Sequence, residues 1–525
     1  MPSRRKEISV QSPRICRRMS LAQTDSAWWI RSSSSFGAST SDTAPSVAAS
    51  LSKSKFTFVA DALYRCVCMP EVLTKAELDP HAQMPDGVWN AYLFQIFNTI
   101  SFSIVLTTPM LLYFKGLGAS GTVLGIVMAL PSLLNILQMP AARFVEQVGY
   151  RTFVLRGWSL RSLFILVIAG VAFLPAKIDP TTKMALVLFL LFAYNTSRGI
   201  SVCGYLPWIT QWIPESIRGR YLSRDWICNS AATVATSLAT AAYLYFGTSQ
   251  QMFGAVFLAS FVAALISLLF LRRIPDVPPP ERTNGKGVPW KHIALYPPFF
   301  RLLVYNVIIF GATAGSGVFW VPCLRDQFQL SDAQILLFGA ISPAVMAFCL
   351  PWLGHVVDRV GSRPILALAD LVFALHVFSW ASLSAHLLPL TWWGVLLIQV
   401  SSGVAIAALN LGNQRMAMGI VPVMGRSHFL ALFSVVNGLT SGVLPIVWGI
   451  ALDSLAGWHH AWSHWEWNHF SVLYLSLALV ALLAQVWHAR LTEPRAMTTE
   501  EFFRELLVET PARALSRLLA RRPFF

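Results

Sequence analysis

Charge is what this sequence has least of. Only 12% of its 525 residues are charged, against 55% hydrophobic. A soluble domain carries about twice that share of charge, so a water-soluble globular fold is excluded. Acids are scarcer still, with 25 Asp and Glu against 40 Lys and Arg, giving a formal charge of +15. That surplus does not describe a nucleic-acid binder. The basic residues lie between hydrophobic blocks and in the two tails, as they do in the cytoplasmic loops of membrane proteins. Strict period-2 alternation is missing, which argues against a membrane barrel. The seven cysteines (Cys16, Cys66, Cys68, Cys203, Cys228, Cys323 and Cys349) show neither zinc-site spacing nor a disulfide framework. A nucleophile–base pair, a metal motif and a phosphate loop are all missing from the water-facing segments, so no enzyme and no cofactor is expected.

Long apolar blocks are there in number. The mean hydropathy is +0.56, and the blocks run at about 88–114, 119–141, 153–175, 184–212, 226–246, 251–271, 299–322, 333–353, 364–386, 390–418, 428–452 and 469–489. Each is near the ~20 apolar residues that a membrane helix needs. In lipid the backbone must satisfy its own polar groups, which leaves helices. The expected fold is therefore all-α and integral to the membrane, with twelve transmembrane helices.

The basic residues give an orientation. With the N-terminal tail inside, the inner connections hold Arg143, Arg151, Arg218, Arg220, Arg224, Arg272, Arg273, Arg359, Arg363 and Arg426, among others. The outer ones hold only Lys115, Lys177, Lys183 and Arg325. Both termini are thus expected in the cytoplasm, in a cell membrane that would be the inner one in a Gram-negative cell. Residues 1–87, Ser- and Arg-rich at first, are expected to be a disordered tail with no secretory signal. Met69 and Met84 are alternative starts close to the first block. A six-helix bundle is expected over 88–273, a Pro- and Gly-rich linker over 274–298, a second bundle over 299–491, and a basic amphipathic tail on the inner leaflet over 492–525.

The two halves repeat each other. Glu146-Gln147-Val148-Gly149-Tyr150-Arg151 after the second block matches Asp358-Arg359-Val360-Gly361-Ser362-Arg363 after the eighth, 212 positions on. Pro214, Arg218, Tyr221 and Leu222 match Pro422, Arg426, Phe429 and Leu430, 208 positions on. Internal repeats of this kind build secondary transporters, with the substrate site at the repeat interface.

Residues Gly354 to Arg363 read G-x-x-x-D-R-x-G-x-R, and through that loop the chain resembles the major facilitator superfamily over about residues 88–491. The resemblance implies two pseudo-symmetric six-helix bundles. It also implies a conformational latch made by Gly354, Asp358, Arg359, Gly361 and Arg363, with Glu146 and Arg151 in the degenerate N-terminal copy. On the residues alone, Gly354 permits close helix approach, and Arg359 and Arg363 suit headgroups or carboxylates. Plain orientation of the chain is the other reading of these loops.

Polar side chains within the blocks nominate a site, because they are costly there and face the interior. The candidates are Gln95 and Asn98 in the first block, Asn195 and Arg198 in the fourth, Asn306 in the seventh, and Asn410 and Gln414 in the tenth. The family geometry implied by the resemblance lines the cavity with these four helices. Arg198 needs a carbonyl, a carboxylate, water or an anionic substrate. Asp370 is the best-placed intramembrane acid and the candidate for proton coupling, and His376 lies on the same block. The Trp- and His-rich stretch Trp458–Trp467 reads as an interfacial belt rather than a metal site. The expected function is carriage of a small polar organic solute by a monomeric alternating-access transporter, with or without protons. A non-transporting sensor or assembly factor of the same fold is the alternative.

Overall fold

The computed structural model describes residues 84–175, 177–278, 293–420, 426–462, 465–491 and 493. The expectations for residues 1–83, for most of the linker and for the C-terminal amphipathic segment lie outside them. So do the side chains of Glu146, Asp358 and Arg359.

Twelve membrane-length spans run through the described chain. The first is α1 (Val88–Leu106) and α2 (Thr108–Gly116). They are broken at Thr107, where Pro109 follows without an N–H to continue the ladder. The second is α3 (Gly121–Leu133), a 3-10 turn (Leu134–Leu137) and α4 (Gln138–Val148), with Pro131 at the break. The third is α5 (Tyr150–Ala172), and the fourth joins α6 (Pro180–Ser201) to α7 (Tyr205–Trp212). The fifth and sixth are α8 (Glu215–Leu244) and α9 (Gln250–Leu271). The C-terminal half holds α10 (Pro297–Pro322), α11 (Asp332–Val360), α12 (Ser362–Ser384), α13 (Trp392–Ile420), α14 (Arg426–Ser454) and α15 (His469–His488).

Eleven of the twelve spans are apolar enough to cross a bilayer by composition alone. The exception is α8, whose inner turns carry Arg218, Arg220, Arg224 and Asp225 and whose remainder is rich in Ala, Ser and Thr. It is sheltered by α1 and α11 and has less need of an apolar surface. Both α8 and α11 reach further toward the basic loops than their apolar blocks did, because amphipathic turns there lengthen the helix without lengthening the hydrophobic run.

The packing repeats with the sequence. The first span packs on the fifth and sixth, and the seventh on the eleventh and twelfth. The third packs on the fourth and sixth, and the ninth on the tenth and twelfth. Between halves, the second span crosses the eleventh and the fifth crosses the eighth. Lipid gives helices no hydrophobic reason to associate, so small residues that admit close contact decide the interface. Gly125 abuts the carbonyl of Pro445, and a Cβ on Gly449 would stand 2.5 Å from the Gly121 carbonyl oxygen.

The two faces of the molecule are built differently. On one face lie the Arg-rich loops. On the opposite face spans two, four, six, eight and twelve begin on side-chain caps from Ser120, Asp179, Ser249, Ser331 and Asn468. The Trp- and His-rich stretch on that face forms an antiparallel hairpin, β1 (His459–Trp462) with β2 (Trp465–Asn468), a regular structure that the composition does not announce.

Candidate substrate-binding site

The repeated loops fold alike for a backbone reason. Gly149 and Gly361 both turn the chain at positive φ, 84° and 95°, a region that favours glycine. Directly after each glycine, the loop arginine reaches the end of its own bundle. Arg151 donates to the carbonyl of Arg272, and Arg363 Nη2 donates to the carbonyl of Ala489 at 3.1 Å. The start of α12 is further capped by Glu493, whose Oε2 accepts from the backbone N–H groups of Ser362 and Arg363, each at 2.8 Å. A carboxylate suits a helix N-terminus. Arg363 is thus tied to the twelfth span. Gly354 departs from the expected close approach, since a Cβ there would meet nothing within 4 Å.

Opposite the basic loops, the halves are joined. Asp453 at the end of α14 accepts from the N–H of Gly121 at 2.7 Å, and from the N–H and hydroxyl of Thr122 at 2.8 and 2.5 Å. Lys115 pairs with Asp326 at 2.6 Å, and Arg325 Nη1 donates to the Leu112 carbonyl at 2.8 Å. These side-chain bonds between the halves all lie on this face. Helix contact continues inward to Leu133 against Gly442. The molecule is closed on the face away from its arginine loops.

Five spans of the N-terminal half contribute to its polar interior. Asn98 on α1 accepts from Trp158 Nε1 at 3.2 Å and from Arg161 Nη2, both on α5. The Arg161 guanidinium lies 4.3 Å from the Trp158 ring centroid and 5.9 Å from that of Tyr194 on α6, and Arg161 is only 3% exposed. Arg198, half-buried one turn beyond Tyr194, donates from Nη1 to the Pro131 carbonyl at 3.3 Å and to Asn135 Oδ1 at 3.2 Å. The 3-10 turn after Pro131 disturbs the helical ladder and leaves carbonyls for such a donor. Gln95 and Thr99 both donate to Asn229 on α8, at 3.3 and 2.7 Å.

The C-terminal half supplies the facing wall. Asn410 is exposed into a cavity of about 260 Å³ lined also by Phe310, Thr313, Ser441, Pro445 and Met128. Met128, one turn before Pro131, is the N-terminal half's contribution to this lining. Gln414, one turn beyond Asn410, is exposed as well.

The candidates thus divide. Gln95, Asn98 and Arg198 make hydrogen bonds between spans of the N-terminal half, and Asn410 and Gln414 are exposed on the tenth span. Asn195 is enclosed and donates to the Leu191 carbonyl at 2.9 Å. Asn306 is fully buried on α10, and neither polar atom of its amide has a described partner. Asp370 is also fully buried. Its Oδ1 accepts from the Tyr305 hydroxyl at 2.7 Å, and its Oδ2 has no described partner. His376 bridges Ser316 and the Ile398 carbonyl as a packed core histidine. Arg161 and Asn229 were passed over in the sequence. The available signal for each was a polar side chain within an apolar block, the third block for Arg161 and the fifth for Asn229.

Two bundles related by an internal repeat, gripping a polar centre and sealed at one face, define a carrier-type polytopic membrane protein. The chain belongs to the major facilitator superfamily, whose family model matches residues 91–398. Its fold is similar to that of a point mutant of the nucleoside transporter NupG (TM-score 0.61, 13% identity, 78% of this chain and 100% of that one). It is similar to a D-xylose–proton symporter (TM-score 0.60, 15% identity, 76% and 96%). It also resembles a POT family transporter in complex with 5-aminolevulinic acid (TM-score 0.58, 12% identity, 78% and 97%). No curated protein sequence matches the chain. The protein is a multi-pass membrane transporter for a small-molecule solute.

Proposed function

We propose that the protein carries a small polar organic solute through the membrane by alternating access, with its arginine loops and both termini in the cytoplasm. The reading is supported by polar groups within the apolar spans of both halves, Asn98 and Arg198 in one and Asn410 and Gln414 in the other. The two halves are joined on the face away from the arginine loops through Asp453. A site shared between bundles changes its access when the bundles rock, and the basic loops belong to the cytoplasmic leaflet. The sealed face is then the external one and the conformation faces inward. Counterflow of labelled solutes in proteoliposomes tests this. Saturable exchange of one solute class is expected, and a failure of every class to exchange would refute carriage. Arg198→Ala should abolish ligand-induced thermal stabilisation; an unchanged ligand shift would remove Arg198 from the site.

The coupling ion we infer is the proton, with Asp370 as its carrier. A buried carboxyl with one free oxygen and no described cation beside it changes charge only at a structural cost, and so its proton is linked to conformation. It reads out through Tyr305, next to Asn306 on the seventh span. Asp370→Asn should remove the pH dependence of uptake, and retained proton coupling would rule it out.

A further inference from the structure

Two arginines, Arg161 and Arg198, stand in the N-terminal half of the site, and among the described residues no carboxylate pairs with either. Their described acceptors are neutral. Arg161 has one, the amide oxygen of Asn98, and Arg198 has two, the Pro131 carbonyl and Asn135. A guanidinium carries five N–H donors, so most of this donor capacity has no described acceptor. Tyr194 links them, its ring centroid 5.9 Å from the Arg161 guanidinium and Arg198 one turn further along the same helix. Burying guanidinium charge is unfavourable unless an anion offsets it. Among the described residues of the nearby helices, the acids lie elsewhere. Asp179 caps α6 at the far face, and Asp225 sits on α8 near the basic loops.

From this we propose, resting on the transport reading above, that the solute carries an anionic group, a carboxylate or a phosphate ester, that docks on Arg161 with Arg198 beside it. The surroundings hold Arg161 for that task. Asn98 fixes one Nη, and the Trp158 face at 4.3 Å fixes the plane. What remains is the planar fork that pairs with two oxygens at once. The rest of the solute extends toward Asn410, past Met128, where the cavity wall is largely apolar with a few hydroxyls. The solute is therefore amphipathic, with an acidic end at the N-terminal half and a less polar body at the C-terminal half.

The test uses the purified full-length protein in detergent and in proteoliposomes. Thermal stabilisation is measured with small carboxylates such as succinate, phosphate esters such as glycerol 3-phosphate, neutral counterparts such as glycerol and uridine, and sodium chloride. The expected result is stabilisation by one anionic class and exchange of the same class in counterflow. R161K should weaken the anion at least tenfold, and R161Q should abolish its effect while both keep the ligand-free melting temperature near wild type. If R161Q fails to fold, R161K and R198K carry the comparison. Stabilisation by a neutral solute that is equal in wild type and R161K overturns the anion assignment while leaving carriage intact. A response to chloride alone, or to no anion at all, also overturns it. Anion binding without any counterflow would instead sink the transport reading and keep the site.

Discussion

Asp453 caps the start of a helix in the other half of the molecule. Its carboxylate takes the N–H groups of Gly121 and Thr122, at 2.7 and 2.8 Å, across 332 and 331 positions of sequence. Helix starts hold unpaired N–H groups and partial positive charge. Asp453 satisfies both, and it does so only while the second and eleventh spans are together on this face.

Asp453→Ala should therefore release that face rather than unfold the protein. Charge-assisted bonds contribute about 2 kcal/mol, so the ratio of sealed to open molecules should fall on the order of 30-fold. Cysteine accessibility at Ser120, with and without the substitution, checks this. Unchanged labelling would mean that helix packing alone holds the face.

Gly125 and Gly449 let the same two spans touch. A side chain at either meets backbone, not a movable side chain. Gly449→Val should separate the spans, raise accessibility of the sealed face, and lower the melting temperature. The cost expected for overpacking is about 1–3 kcal/mol. A variant as stable and as closed as wild type would contradict the packing.

Gly354 makes the opposite prediction. It has open space in this conformation, so Gly354→Val should change stability by less than about 0.5 kcal/mol. If the loop closes against a neighbour during the cycle, as the family's latch does, the same substitution slows counterflow severalfold. Normal rates would reduce the loop to an orientation signal.

Glu493 holds the first turn of α12. Glu493→Gln leaves a weaker cap and Glu493→Ala leaves none, at a cost of about 1 kcal/mol for the latter. Thermal unfolding in detergent should rank them wild type, Gln, Ala. Equal melting temperatures would show that Arg363 and the Ala489 carbonyl suffice.

Tyr305 and Asp370 form a buried pair in the C-terminal bundle. Tyr305→Phe leaves the acid without its described donor and should destabilise by about 1–3 kcal/mol. Asp370→Asn can still accept from the hydroxyl and should destabilise less. Reversal of that order would contradict the hydrogen bond as drawn.

The sequence by itself determined the number of spans, the repeat and the basic face, because these depend on local quantities: the length of an apolar run, a glycine at positive φ, the position of an arginine in a loop. It also nominated Arg198, Asn98 and Asn410, since any polar side chain in an apolar run stands out. Tertiary structure decided which of these meet. Asn306 reads in the sequence as a cavity candidate and Asp370 as the intramembrane acid, but both are turned into the bundle, because helical phase at a membrane depth is fixed only by the neighbours that pack there. The same holds for the partners of Arg161 and Asp453. One lies among aromatic faces from its own and a neighbouring helix, the other at a helix start more than three hundred residues away, and no local pattern encodes contacts made only when distant spans are brought together.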